Sequence, residues 1–102
     1  MTAARVADLD GHDVLGVVCD GVPIVLCRWK GTVSALLDRC PHQGVKLSGG
    51  CLVEGFIECP QHFGLFDVRT GASGGGVTMH AAKTVPTRMV GGVIEVDLEH
   101  VR

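Results

Sequence analysis

Short apolar runs bounded by glycine and aspartate turns occur along most of the chain. The run from Val14 to Cys19 meets Asp20-Gly21, and a second run from Val22 to Arg28 follows. A two-residue Asp-Gly loop between apolar runs is a strong signal of a β-hairpin. Pro23 lies near the start of the second run, which favours an edge strand or a first-residue position, because proline cannot donate a ladder hydrogen bond.

Further along the chain, turn residues between apolar runs again predict antiparallel strands. Lys30-Gly31 turns into a run from Thr32 to Leu37, and Gly91-Gly92 separates Thr87–Val90 from Val93–Leu98. Apolar and polar residues alternate in the last run, as in a half-buried strand. No window longer than about ten residues keeps a 3.6-residue apolar period, so long helices are not expected. At most one helical turn is predicted, near residues 45–47.

Composition narrows the class of protein. The chain has 102 residues, 46% of them hydrophobic and 20% charged, which fits one globular domain over residues 1–102. Nine basic against eleven acidic residues give a net charge of -2, unlike the basic face of most nucleic-acid binders. No apolar stretch approaches the 18 or so residues of a membrane span. Asp8 and Asp10 interrupt the place where a signal peptide would need an apolar core. We therefore expect a cytoplasmic protein.

Glycine and cysteine are the unusual residues. Fifteen glycines and only four aromatic residues favour a small all-β domain with tight turns and an aliphatic core. The five cysteines are an odd number in a chain without a secretory signal, so metal binding or burial is expected before a disulfide framework. We interpret Cys19, Cys27 and Cys51 as small buried or half-buried side chains. In the predicted hairpin register, Cys19 and Cys27 are too far apart for a disulfide.

The pattern that points to chemistry is Cys40-Pro41-His42 followed, after sixteen residues, by Cys59-Pro60-Gln61-His62. Each half supplies one thiolate and one imidazole on a loop stiffened by proline. Zinc fingers typically pair Cys with Cys and His with His, so the mixed halves differ from that arrangement. Two loops that each carry both ligand types can each reach both metals of a two-iron centre.

With these residues, the chain resembles Rieske-type [2Fe–2S] proteins, in which two histidines replace two cysteines on one iron. The resemblance includes Cys40–Gly44, Cys59–His62, the segment Phe66–Gly71 and the C-terminal Val85–Asp97, and it covers about residues 14–98. We expect no attached catalytic domain, because these 102 residues hold only the resembling domain. The chain is therefore similar to the free-standing ferredoxins of aromatic-ring-hydroxylating dioxygenases.

The resemblance implies an all-β Rieske fold, in which an antiparallel β-sandwich base carries an inserted cluster-binding subdomain at about residues 38–70. It also implies one [2Fe–2S] cluster, with Cys40 and Cys59 on the buried iron and His42 and His62 on the outer iron near the tip. The same four residues are the implied metal ligands, and no catalytic residue is implied.

The function implied by the resemblance is one-electron transfer in aromatic hydrocarbon catabolism. The chain would accept electrons from a flavin-containing NAD(P)H reductase and pass them to a terminal Rieske oxygenase. It would do so as a monomer in transient contacts, without being an enzyme itself. Two alternatives remain open: the small Rieske subunit of an assimilatory nitrite reductase, and a structural zinc module that uses the same four ligands.

Four positions around the predicted cluster indicate a low reduction potential. High-potential members of the family have a disulfide between the two cluster loops, and the corresponding residues here are Val45 and Gln61. They also have a serine and a tyrosine that donate to cluster sulfur, where this chain has Gly64 and Phe66. Neither of these side chains can donate a hydrogen bond. We expect a potential near the lower end of the Rieske range of about -150 to +300 mV.

One further motif is dismissed. The stretch Gly71–Gly75 matches the G-x-S-x-G nucleophile elbow, but that motif needs a strand before it and a helix after it. Because more glycine follows, we predict a flexible surface loop that includes Gly74–Gly76.

Overall fold

The fold is built almost entirely of short antiparallel strands. A computed structural model describes residues 1–40, 45–60, 64–75 and 81–99. Within these ranges no α-helix occurs, and two 3-10 helices of about one turn each cover Val6–Leu9 and Leu47–Gly49. The strands are β1 (Thr2–Arg5), β2 (Val14–Cys19), β3 (Val22–Trp29), β4 (Thr32–Leu37), β5 (Cys51–Val53), β6 (Phe56–Glu58), β7 (Leu65–Asp67), β8 (Ser73–Gly75), β9 (Thr84–Val85), β10 (Thr87–Val90) and β11 (Val93–Val96). The predicted all-β class is confirmed.

Three antiparallel sheets organise these strands. Their strand orders are β1-β11-β10, β2-β3-β4-β9 and β5-β6-β7-β8. The first two sheets share one apolar core, to which Ile94 and Val96 contribute from one side and Ile24, Leu26 and Val85 from the other. Together they form the β-sandwich base. The third sheet lies between β4 and β9 in the chain, so it is inserted into the base.

Strand β3 separates two apolar cores. Its residues Ile24 to Cys27 are all fully buried, because successive side chains point to opposite faces of a strand and both faces are covered. Ile24 and Leu26 pack into the core of the base. Val25 and Cys27 pack into a second core, which joins the base to the inserted sheet. Strand β3 therefore contributes to both cores and holds the inserted sheet against the base.

Two-residue turns with positive φ set the hairpin registers. Asp20-Gly21 connects β2 to β3, with φ of 50° and 78°, and the register pairs Cys19 with Val22, as predicted. Lys30-Gly31 and Gly91-Gly92 make the other two predicted turns. A fourth turn of this kind, Glu54-Gly55, connects β5 to β6. Positive φ at both central positions matches the right-handed twist of the strands, which explains the glycines.

Several local expectations need correction. β3 is an interior strand, so the edge position considered for Pro23 is wrong; Pro23 is its second residue and precedes the ladder to β4, which begins at Ile24. The final strand ends at Val96 rather than Leu98. β1 pairs with β11 although no strand was predicted there.

The glycine run after Gly71 also differs from the predicted flexible loop. Ser73–Gly75 form β8 and pair with β7. A side chain at Gly74 would overlap the ring of Phe56, so glycine allows this edge strand to pack closely.

Nowhere in the part of the chain described is there a helix both long and apolar enough to cross a membrane.

Candidate metal centre

The first predicted ligand loop begins where β4 ends. Cys40 is 2% exposed, and its backbone N–H donates a 2.7 Å hydrogen bond to the carbonyl oxygen of Val45. This bond closes the loop five residues beyond the cysteine. The predicted ligand His42 lies within residues 41–44, outside the described residues.

The second predicted ligand loop begins where β6 ends, and it closes in the same way. Cys59 is fully buried, and its backbone N–H donates a 2.8 Å hydrogen bond to the carbonyl oxygen of Gly64. The closing residue is again five positions beyond the cysteine. His62 belongs to residues 61–63, which the structure does not describe either. The chain therefore has two loops of equal span, each starting at a buried thiol.

The fold brings these two loops together. Cys40 and Cys59 belong to the same buried core, together with Leu47 and Phe66. A Cβ atom built at Gly49, which follows the first loop, would be only 3.7 Å from the Pro60 ring of the second. The two thiols therefore come from neighbouring loops over one apolar core.

This arrangement suits a two-loop metal centre. Buried thiols are soft ligands and become strong ones when a metal displaces their protons. Among the residues described, no group of three or more His, Cys, Asp or Glu side chains could hold a metal ion, and only the two cysteines of the predicted set are described. The observed half of the donor set fits a Rieske centre; the set of four ligands remains a prediction.

At two described positions near the thiols, the side chain offers no hydrogen-bond donor. Phe66 is fully buried and has no polar side-chain atom, and Gly64, two positions before it, is also buried. Val45 is half-buried and cannot form a disulfide. These observations fit a cluster whose sulfur atoms receive no side-chain hydrogen bond from positions 64 and 66.

Sequence reasoning missed a buried carboxylate next to the first loop. Asp38 is 4% exposed, and both of its oxygens accept hydrogen bonds from Ser48, one from the backbone N–H and one from the hydroxyl group, each 2.7 Å long. The only signal in the sequence is an aspartate two positions before a candidate ligand. No spacing rule connects it to Ser48.

The remaining cysteines divide into two kinds. Cys19 and Cys27 are buried as predicted, and the hairpin register pairs them with Val22 and Val14, which excludes a disulfide between them. Burial, with a smaller contribution from the Asp38 carboxylate, raises the pKa of Cys27 to about 12. Burial also raises the pKa of Cys19. Cys51 is exposed on edge strand β5, so its predicted burial is wrong.

A cavity formed by described residues lies away from the two thiols. It has a volume of about 860 Å³ and is lined by residues of the terminal strands and turns, including Met1, Arg88, Glu95 and Asp97. Neither Cys40 nor Cys59, the two predicted ligands that the structure describes, lines it.

Comparisons with known proteins agree with this geometry. Residues 1–87 match the family model described as Rieske [2Fe-2S] domain. The ferredoxin component of the naphthalene 1,2-dioxygenase system of Pseudomonas aeruginosa is 33% identical over 96 residues, which are 94% of this chain and 92% of that protein.

Solved structures are similar over nearly the whole chain. A ferredoxin of Sphingomonas yanoikuyae B1 has a TM-score of 0.88 at 26% identity, with 95% of this chain and 96% of that chain covered. A complex of reduced oxygenase and oxidised ferredoxin in carbazole 1,9a-dioxygenase contains a chain with a TM-score of 0.86 at 26% identity, covering 94% of this chain and 90% of that one. These matches agree with the two loops that begin at buried thiols and with the β-sandwich base that carries an inserted sheet. The chain belongs to the Rieske [2Fe-2S] family.

Proposed function

We propose that this protein is a low-potential one-electron carrier in an aromatic-ring dioxygenase system. It accepts electrons from a flavin-containing NAD(P)H reductase and delivers them to a terminal Rieske oxygenase. One [2Fe–2S] cluster is bound per chain, with Cys40 and Cys59 on the inner iron and His42 and His62 on the outer iron. The protein works in the cytoplasm as a monomer and binds no organic substrate.

The observation that supports this proposal best is the matched pair of loops. Each begins at a buried cysteine, and each is closed by a hydrogen bond from that cysteine's N–H to the residue five positions on. This closure brings both ends of each loop together, and each predicted histidine lies between those ends in the sequence. Similarity over almost the full length of ferredoxin components supports a carrier rather than an oxygenase.

The chain's own residues contribute burial and electrostatics. When bound, the cluster supplies one-electron redox chemistry. The apolar core around Cys40 and Cys59, which includes Leu47 and Ile57, excludes water from the thiolate side. Because Gly64 and Phe66 have no donor side chains, they do not stabilise the more negative, reduced state. These residues favour a low potential.

The partner surface is expected where the ligand loops reach solvent. Lys46 is exposed and follows directly after Val45, the residue that closes the first loop. Encounters between electron carriers bury little area, below about 1,200 Å² in total. A single exposed charge at the rim can therefore change the rate of encounter.

Voltammetry of the purified protein tests the carrier function. We expect a reversible one-electron wave at roughly -150 to -100 mV at pH 7, at the lower end of the family's range. A protein without a wave between about -300 and +400 mV, beyond both ends of that range, would be a non-redox module. A wave above about +100 mV would contradict the low-potential assignment.

A further inference from the structure

Asp38 holds a position that the metal centre itself does not explain. Of the residues described, it is the only charged side chain that is buried. Its Oδ1 accepts the backbone N–H of Ser48, and its Oδ2 accepts the Ser48 hydroxyl group, both at 2.7 Å. A charged acceptor makes such hydrogen bonds stronger than neutral ones. We call this pair of bonds the Asp38–Ser48 clamp.

The clamp joins the base of the fold to the chain that follows the first ligand loop. On the base side, the backbone N–H of Asp38 donates a 2.9 Å hydrogen bond to the carbonyl oxygen of Pro23 in β3. On the loop side, Ser48 lies in the 3-10 helix Leu47–Gly49, whose first residue, Leu47, is fully buried. The clamp therefore closes the segment 39–47, which contains Cys40 and His42.

This segment is closed at two levels. The inner closure is the hydrogen bond from Cys40 N–H to the Val45 carbonyl oxygen, and the outer closure is the clamp. With the inner bond alone, the loop could still move as a unit relative to the base. The outer bonds fix the positions of its two ends relative to β3.

Strand β2 is shaped to accommodate the clamp. A Cβ atom at Gly16 would lie 2.8 Å from Ser48 Oγ, 2.9 Å from Ser48 Cβ and 3.2 Å from Asp38 Oδ2. Gly16 is not in the positive-φ region, so lack of space rather than backbone conformation requires glycine at this position. The base strand thus covers the clamp directly.

We propose that Asp38 and Ser48 are positioning residues for the first ligand loop, and that Gly16 leaves the space in which their side chains pack against β2. This inference depends on the proposed function only in that the loop holds cluster ligands. Groups that orient metal ligands from outside typically change metal affinity 10- to 100-fold when they are replaced. The clamp should act in the same way, by keeping Cys40 at its place over the core.

Release of iron from the loaded protein to an excess of chelator tests this role. We expect Ser48→Ala and Asp38→Ala to release iron roughly 10- to 100-fold faster than the parent. Asp38→Asn can retain both contacts, since its amide accepts one hydrogen bond and donates the other, so it should stay within about threefold of the parent. The double variant should be no faster than the faster single variant, because both changes remove the same pair of bonds. Asp97→Ala is the matched control, since Asp97 accepts a backbone bond from Glu99 outside this region.

Amide hydrogen exchange supplies a readout that does not depend on the cluster. In Ser48→Ala, the amides of residues 45–49 should lose protection while those of β2 and β3 keep it. Gly16→Ala should show the same local loss, because its methyl group pushes against Ser48. Parent-like iron release together with parent-like exchange at 45–49 would overturn the clamp's role, as would loss of protection throughout β2 and β3.

The two proposals can fail separately. Iron and sulfide are measured in the parent protein first, and their absence contradicts the cluster and not the clamp. The exchange experiment then still tests whether the clamp orders residues 45–49. A loaded parent with unaffected variants contradicts the clamp alone.

Discussion

A single hydroxyl group should raise the reduction potential if the lack of a donor side chain at positions 64 and 66 keeps this potential low. Phe66→Tyr adds a phenol at a fully buried position of β7, inside the core that contains Cys40 and Cys59. A buried phenol usually finds a hydrogen-bond acceptor. A ligand thiolate of this core would be an acceptor that carries charge.

The size of the effect follows from the strength of such a bond. A hydrogen bond to a charged group contributes about 1.5–3 kcal/mol. For one electron, a tenfold change in equilibrium, or about 1.4 kcal/mol, corresponds to about 59 mV. If the bond formed only in the reduced state, the potential would rise by about 60–130 mV. Because it also forms in the oxidised state and only strengthens on reduction, we expect a rise of tens of millivolts.

Voltammetry at pH 7 measures this shift, and Phe56→Tyr is its control. Phe56 lies in the same sheet but at the Glu54-Gly55 end of β6, with its ring beside Gly74. The Phe56→Tyr substitution should leave the reduction potential within about 10 mV of the parent value. This is less than a fifth of the 59 mV that corresponds to a tenfold change in the one-electron equilibrium constant. If Phe66→Tyr leaves the potential unchanged and lowers the free energy of unfolding by about 1–3 kcal/mol, the hydroxyl group is buried without a partner and the reasoning is refuted.

Three further predictions concern the loops, the partner surface and a buried thiol. Cys59→Ser should lose the cluster and increase amide exchange over residues 45–60; unchanged protection there would contradict the dependence of these loops on metal. Lys46→Glu should slow electron transfer to the oxygenase at low salt and alter the salt dependence of the transfer rate. Lys30→Glu is the control and should have neither effect, because Lys30 lies at the opposite end of β4, about 20 Å along the strand. Equal effects of the two substitutions would argue against a partner surface at the ligand loops. The pKa of Cys27 is about 12 in the folded protein and near 9.0 in the unfolded chain, so the thiol ionises more easily after unfolding. The free energy of unfolding should therefore fall by about 4 kcal/mol at most as the pH rises from 9 to 12. Chemical denaturation across this pH range measures the fall, and Cys27→Val should remove the part that Cys27 contributes.

Local turn chemistry made much of the base predictable. Asp20-Gly21, Lys30-Gly31 and Gly91-Gly92 each place positive φ where a two-residue hairpin requires it, and these signals need no information from the rest of the chain. The sequence pattern that suggests Cys40 and Cys59 as ligands is also local, and their role as ligands stays a prediction. A cysteine at the start of each short Cys/His loop is a local pattern, and the fold places both thiols in one core.

Features that depend on distant residues were not predictable. The Thr-Ala-Ala-Arg sequence of β1 has little strand propensity and becomes a strand only because β11, some ninety residues later, offers an edge. Gly74 reads as a loop residue until the Phe56 ring is seen to occupy the space of a side chain. The Asp38–Ser48 clamp likewise depends on the packing of β2 over two residues that are ten positions apart.

Metal and sulfide analysis of the purified parent protein tests most directly whether the chain binds a [2Fe–2S] cluster. Two mixed Cys/His loops on a Rieske fold predict about two irons and two acid-labile sulfides per chain in a red-brown protein. A colourless protein with one zinc ion and no sulfide per chain would contradict it, because the same four ligands would then form a structural zinc site.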